Sequence, residues 1–154
     1  MHLDFFQVVC GPEFALFFEV PGWDHFILRL VNSQPSFRHA ALAVSTLSRH
    51  RYFAPQQDRA PILSYALQQY NSSIRELSRL DHSRQSKVIV IVASFIFVAL
   101  EFLLENYDRL QSHIRSAFAI LHDLVKADAP ESAYLRHALL CISERAMFLI
   151  PGCS

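Results

Sequence analysis

An uncharged run of thirteen residues, 88–100 (VIVIVASFIFVAL), constrains the fold more than any other feature of this sequence. A helix that crosses a bilayer needs about 20 apolar residues, and this run is bracketed by Lys87 and Glu101. Placing the Glu101 carboxylate near the middle of a bilayer would cost about 2.5–3.5 kcal/mol. The length of the run 88–100, together with the helical pattern that follows it, favours a helix over a buried strand. We therefore expect a central helix from Lys87 to Glu105, buried on nearly all sides; a small membrane protein is the less favoured alternative.

Apolar residues recur three and four positions apart on both sides of this run, which is typical of helices with one buried face. Before the run, the stripes are Trp23, Phe26, Ile27 and Leu30; then Phe37, Ala40, Ala41, Val44 and Leu47; then Leu63, Ala66, Leu67, Tyr70, Ile74 and Leu77. After it, they are Tyr107, Leu110, Ile114, Ala117, Leu121 and Leu124; then Leu135, Leu139, Ile142 and Leu149. With a short helix over 12–18, the pattern predicts six or seven helices joined by short loops. The predicted fold is all-α, either a bundle or a right-handed stack of antiparallel helical hairpins around the central apolar helix.

The length of 154 residues suits one domain with a real core, so we predict a single domain over 1–154. Two polar stretches interrupt the helical pattern, 55–61 (PQQDRAP) and 81–86 (DHSRQS). We interpret both as internal linkers, the second of a length that suits a helical hairpin.

Charge and cysteine content argue against several classes of protein. The formal net charge is zero, whereas domains that grip nucleic-acid phosphates usually carry a basic excess. Cys10, Cys141 and Cys153 are odd in number and far apart, which fits neither a disulfide framework nor a zinc site. We expect reduced thiols in a soluble intracellular protein, and no cofactor in this chain.

No arrangement of residues indicates catalysis. His113 and His122 lie nine positions apart on one predicted helix, about 13 Å along its axis, so they cannot share a metal ion. Glu101 and Glu105, one turn apart, are interpreted as a solvated face and not as an acid/base pair. A nucleophile elbow has glycine on both sides of its serine or cysteine, and no serine or cysteine in this sequence is placed in that way. The sequence predicts no catalytic, cofactor-binding or metal-binding residue, and no enzyme.

The best charge feature is Arg49-His50-Arg51, in a stretch with no acidic residue between His25 and Gln57. Two interpretations stay open. These cations, in the last turn of a helix, complement the helix dipole. They are also the candidate contact for an acidic partner surface or for phosphate. Separately, Phe5, Phe6, Phe14, Phe17, Phe18 and Trp23 form an aromatic group that we expect to be core, or a sticky patch if more sequence once covered it.

Two blocks carry a resemblance to a known family. The first is 33–53, SQPSFRHAALAVSTLSRHRYF; in the second, over 65–124, YALQQYNSSIRELSRL leads through the apolar run to LEFLLENYDRLQSHIRSAFAILHDL. In order and spacing, over about residues 3–126, they resemble the fungal-specific transcription factor domain of binuclear zinc-cluster regulators. The resemblance implies a nuclear, helical regulatory region that responds to a protein partner or a small-molecule effector.

This sequence departs from that family in two ways. The six-cysteine zinc cluster is absent, so the resemblance implies DNA and zinc only indirectly, through a region that this chain does not contain. Family members also continue well beyond the last helix. A fragment, a truncated gene product and a free-standing module stay open, as does an unrelated helical-hairpin adaptor that binds a peptide or protein. Asn106-Tyr107-Asp108 shows a weaker similarity to tetratricopeptide-like hairpins, although Glu105 stands where that repeat usually has glycine.

Overall fold

The computed structural model describes residues 23–149, with side chains from 25 to 146. Over these residues the fold is all-α, with six helices and no strand. In chain order the helices are α1 (Trp23–Ser33), α2 (Pro35–Phe53), α3 (Arg59–Ser78), α4 (Arg84–Leu103), α5 (Tyr107–Lys126) and α6 (Ser132–Leu149). The predicted all-α fold is confirmed. The short helix over 12–18, the N-terminal aromatic group, Cys10 and Cys153 lie outside the described residues or side chains.

The described residues group into two compact units. One covers 23–80 with α1, α2 and α3, and the other covers 81–149 with α4, α5 and α6. The boundary falls where the sequence predicts its second linker, 81–86. A single domain over 1–154 and a right-handed stack both stay predictions.

In the first unit, α2 packs against both α1 and α3. The whole apolar stripe predicted for α2 is buried: Phe37, Ala40, Ala41, Val44 and Leu47. Between the helices, Nδ1 of His39 lies 2.7 Å from Oε1 of Gln69, and within α2 the buried Ser45 hydroxyl donates to the Ala41 carbonyl at 2.6 Å. Small side chains and self-satisfied hydroxyls therefore let α2 pack closely against its neighbours.

α3 begins earlier than the sequence predicts and buries less of its apolar stripe. The Asp58 side chain accepts a hydrogen bond from the Ala60 backbone N–H at 3.2 Å and caps the helix, so only 54–58 connect α2 to α3. Tyr70 is buried as expected. Leu67 and Ile74 remain 39% and 41% exposed, so the neighbouring helices cover only part of this stripe.

In the second unit, α4 has most of its residues buried, including every side chain over 91–98. Its N-cap is Ser83, whose hydroxyl accepts from the Ser86 N–H at 3.2 Å, so residues 84–86 belong to the helix and not to the predicted linker. By length and composition α4 could cross a membrane. That is weak evidence, because a core helix passes the same test, and 61% of its apolar window is buried.

α4 and α5 end in the same way. The Asn106 N–H donates to the Glu101 carbonyl and the Glu105 N–H to the Phe102 carbonyl, at 2.9 and 3.1 Å, which is a Schellman motif. After α5, Ala129 and Asp128 make the equivalent bonds at 3.1 and 3.0 Å. A Schellman motif needs one residue in the left-handed backbone conformation just after the helix. Glu105, at φ 59°, takes this place after α4, and Asp128, at φ 54°, takes it after α5.

The predicted stripe of α5 forms its contact face. Leu110, Ile114, Ala117, Leu121 and Leu124 are all buried, and Tyr107 is half-buried. The Asn106 side chain caps the helix, accepting from the Arg109 N–H at 3.3 Å. α5 packs against α4 and also against α6, where Leu135, Leu139 and Ile142 are buried.

Candidate functional site

The predicted contact residues lie at the C-terminal end of α2, which we call the basic end of α2 (residues 49–53). Arg49 and Arg51 are exposed and His50 is half-buried. The next two side chains, which the sequence analysis did not single out, are large and exposed: Tyr52 by 57% and Phe53 by 64%. The basic end of α2 therefore combines cations with apolar rings that face solvent.

The helix terminus itself separates the three predicted residues into two roles. The Ala54 N–H donates to the carbonyls of Arg49 and His50, at 3.2 and 3.3 Å, and closes the last turn. The His50 Nε2 atom lies 2.9 Å from the Gln57 carbonyl oxygen, a distance at which Nε2–H donates to it. His50 therefore holds the short connection to α3, whereas Arg49 and Arg51 are both exposed to solvent.

The two arginines differ in their surroundings. The Arg51 guanidinium carbon lies 5.8 Å from the centre of the Tyr52 ring, within the range of a cation–π contact. Over residues 25–146, the Arg49 side chain makes no hydrogen bond or ion pair. A guanidinium is planar and always charged, and it binds carboxylate or phosphate oxygens through two parallel N–H groups.

The charge of the first unit reinforces this site. Residues 23–80 contain seven arginines, three carboxylates and no lysine. Over 26–57 there is no carboxylate at all, so the basic end of α2 lacks neighbours in sequence that would neutralise it. Since like charges in one region sum to a local potential, an acidic surface is attracted here even though the whole chain is neutral.

Sequence reasoning missed a buried acid in the second unit. Glu101 has no exposed surface, and its Oε1 atom lies 3.7 Å from Nε2 of His113 and 4.0 Å from Nε of Arg109. The ring of Phe97 lies 5.3 Å from that of His113, centre to centre. The interpretation of Glu101 as part of a solvated face is therefore wrong, whereas Glu105 is exposed as expected. One signal was available: Glu101 follows Phe97 by one turn and shares its buried face.

A second missed feature is a shallow groove between α5 and α6, which we call the α5–α6 groove. It has a volume of about 230 Å³ and is lined by Phe118, Leu121, His122, Val125 and Arg136. Three of these are apolar, and Val125 is 51% exposed. The groove depends on the approach of two helices, so periodicity along one helix does not reveal it.

No cluster resembling a metal centre is found within the described part of the chain, where no three His, Cys, Asp or Glu side chains are placed to hold an ion. Cys141 is a free thiol whose sulfur lies 3.8 Å from Nε2 of His137, one turn earlier on α6. His113 contacts Glu101, and His122 lines the groove.

Comparison of the chain with protein-family models, with curated proteins and with solved structures finds no match.

Proposed function

We propose that this chain is a non-catalytic helical regulatory domain that binds a protein partner, of the kind found in fungal zinc-cluster transcription regulators. On this proposal the domain acts in the nucleus and reaches DNA only through a zinc-cluster region outside this chain. A bound partner or effector would shift the population between two states of the helices, and so alter transcriptional output.

The observation that supports this proposal is the composition of the basic end of α2. Arg49 can form charge-assisted hydrogen bonds, Arg51 adds exposed positive charge, and Tyr52 and Phe53 offer apolar area beside them. Arginine and large aromatic residues are the side chains most enriched where protein partners bind tightly. An acidic segment with interspersed apolar residues matches both features, so we propose this class of partner.

A direct test measures binding of a fluorescein-labelled peptide that alternates aspartate or glutamate with leucine and phenylalanine. We expect saturable binding that weakens as salt rises, and no binding of the same peptide with asparagine and glutamine in place of the acids. Arg49→Ala with Arg51→Ala should weaken binding about tenfold or more without changing the fold. The matched control is Arg75→Ala with Arg79→Ala, which removes the same charge from the last turn and C-cap of α3.

Two outcomes would overturn the proposal. If the Arg49/Arg51 variant melts at a lower temperature but binds the acidic peptide as tightly as wild type, these cations only complement the helix dipole. If duplex DNA binds and the acidic peptide does not, the basic end of α2 is a phosphate contact and the partner class is wrong. A coding segment for a zinc cluster directly upstream of this sequence would separately support the family assignment.

The second candidate is an unrelated helical-hairpin adaptor, and one observation favours it. Leu67 and Ile74 lie seven positions apart on one side of α3, and both are about two-fifths exposed. A half-exposed apolar stripe on a helical hairpin is a surface that another helix can cover. Substituting Leu67→Ser with Ile74→Ser separates the two candidates, since it should abolish partner binding by an adaptor and leave binding at the basic end of α2 intact.

A further inference from the structure

The α5–α6 groove combines an apolar floor with two polar groups at its edge. Phe118, His122 and Val125 lie at i, i+4 and i+7 on α5 and thus share one side of that helix, while Arg136 comes from α6. Leu121 forms the buried floor at 4% exposure. The groove therefore belongs wholly to the second unit and is distinct from the basic end of α2.

The two polar groups reach solvent and have no partner among the described side chains. Both His122 and Arg136 are exposed, and over residues 25–146 neither side chain makes a hydrogen bond or an ion pair. Among the residues that the structure describes, no carboxylate lines the groove. A guanidinium and an imidazole beside an apolar surface fit an occupant whose apolar side chain is flanked by carboxylates.

We propose that the α5–α6 groove docks an amphipathic helical segment of a protein partner, with an apolar anchor on Phe118, Leu121 and Val125 and glutamate or aspartate side chains against Arg136 and His122. The open form of the groove suits a peptide side chain lying across it. Helical partners recognised in this way present anchors at i, i+3 or i+4, and i+7, the same spacing as the lining residues of α5.

The test uses the whole chain, uniformly labelled with ¹⁵N, and an N-acetylated amphipathic helical peptide whose Phe–Leu stripe is flanked by glutamates. We expect its titration to shift the backbone amide signals of residues 118–125 and 135–137. The same peptide with glutamine in place of glutamate should bind about tenfold more weakly, because it loses the charge-assisted contacts.

Two variants report on the groove, and one reports on specificity. Arg136→Glu and Val125→Asp place a negative charge at exposed positions in the groove and should each abolish the shifts of 118–125. Arg49→Glu changes the charge of the first unit by the same amount as Arg136→Glu and should leave those shifts unchanged. Far-UV circular dichroism confirms that each variant is folded.

The outcomes separate this inference from the proposed function. Shifts confined to residues near 49–53, or no shift of 118–125 at millimolar peptide, would overturn groove docking and leave the basic end of α2 to be judged by its own experiment. Equal affinity for the glutamate and glutamine peptides would show that Arg136 and His122 do not bind the peptide carboxylates, which also contradicts the proposal.

Discussion

The Nε2 atom of His113 lies 3.7 Å from the Oε1 atom of Glu101, a carboxylate with no exposed surface in the last turn of α4. A carboxylate enclosed among apolar side chains is costly unless it is paired. Here α5 supplies two neighbours, His113, which is one-quarter exposed, and Arg109, which is two-thirds exposed. His113 is the better shielded of these two neighbours, so solvent screens its contact with the carboxylate less.

The first prediction concerns this pair. His113→Ala should lower the free energy of unfolding by about 2–3 kcal/mol, because the Glu101 carboxylate loses its better-shielded partner. Adding Glu101→Gln should restore part of the loss, since the double variant no longer buries that charge. Urea unfolding of the two single variants and the double variant gives the coupling free energy between His113 and Glu101, which we expect to be about 1–2 kcal/mol. Glu105→Gln is the exposed control, and equal losses with and without Glu101→Gln would contradict the pairing.

The second prediction concerns the apolar helix. Val92 is fully buried in α4, so Val92→Asp places an unpaired carboxylate in the core and should cost several kcal/mol, enough to unfold the second unit at room temperature. Val125→Asp is the matched control, because that side chain is half-exposed, and it should cost less than about 1 kcal/mol. Far-UV circular dichroism and thermal melting measure both. A Val92→Asp variant that melts like wild type would show that α4 is not a core helix.

The third prediction concerns acid stability at the start of α4. The Ser86 hydroxyl donates to the Asp81 carboxylate at 2.6 Å and the Ser83 N–H does so at 3.1 Å. These bonds favour the charged form and lower the pKa of Asp81 from 3.8 to about 2. Because the pKa is lower in the folded state than in the unfolded state, the stabilisation is complete above about pH 4 and disappears as pH falls to about 2.

Urea midpoints between pH 2 and pH 6 test this dependence. The urea midpoint of wild type should exceed that of Asp81→Asn at pH 6 and converge with it near pH 2. Asp123→Asn, at an exposed position of α5, is the matched control for removing one carboxylate. A difference between wild type and Asp81→Asn that is constant over this range would rule out the carboxylate as the source.

The fourth prediction concerns the left-handed helix ends. Glu105 adopts φ 59°, which costs about 1 kcal/mol for an L-residue with a β-carbon, so Glu105→Gly should raise the free energy of unfolding by about 0.5–1 kcal/mol. Asp128→Gly should give less, since aspartate tolerates this conformation better. Glu105→Ala serves as the control and should not stabilise the protein. Chemical denaturation at fixed pH distinguishes the three variants.

Much of the fold follows from periodicity because burial along one helix repeats with the helical turn. The stripe from Phe37 to Leu47 is buried as predicted, and Pro35 begins α2 where a proline is tolerated. Helix starts were placed less well, since the caps at Asp58 and Ser83 draw residues of the predicted linkers into α3 and α4. A cap is a hydrogen bond between one side chain and one backbone N–H, and the spacing of apolar residues does not indicate where it forms.

What the sequence misses depends on contacts between helices. Glu101 is buried because α5 brings His113 alongside it, and Leu67 stays partly exposed because the helices packed against α3 do not cover that side. The same limit applies to the candidate sites. Arg49 and Arg51 could be selected from their sequence, whereas the exposure of Phe53 and the α5–α6 groove depends on packing. The resemblance to a transcription regulator's domain stays a prediction.

Residues 23–80 of the first unit contain seven arginines and no lysine, so their fixed positive charges are all guanidinium groups. A guanidinium keeps its proton at any pH that a folded protein survives. Acetylation, ubiquitination and amine-reactive dyes all act on lysine, and within 23–149 they can reach only Lys87 and Lys126, both in the second unit. Modifications directed at lysine therefore cannot remove the positive charge of the basic end of α2.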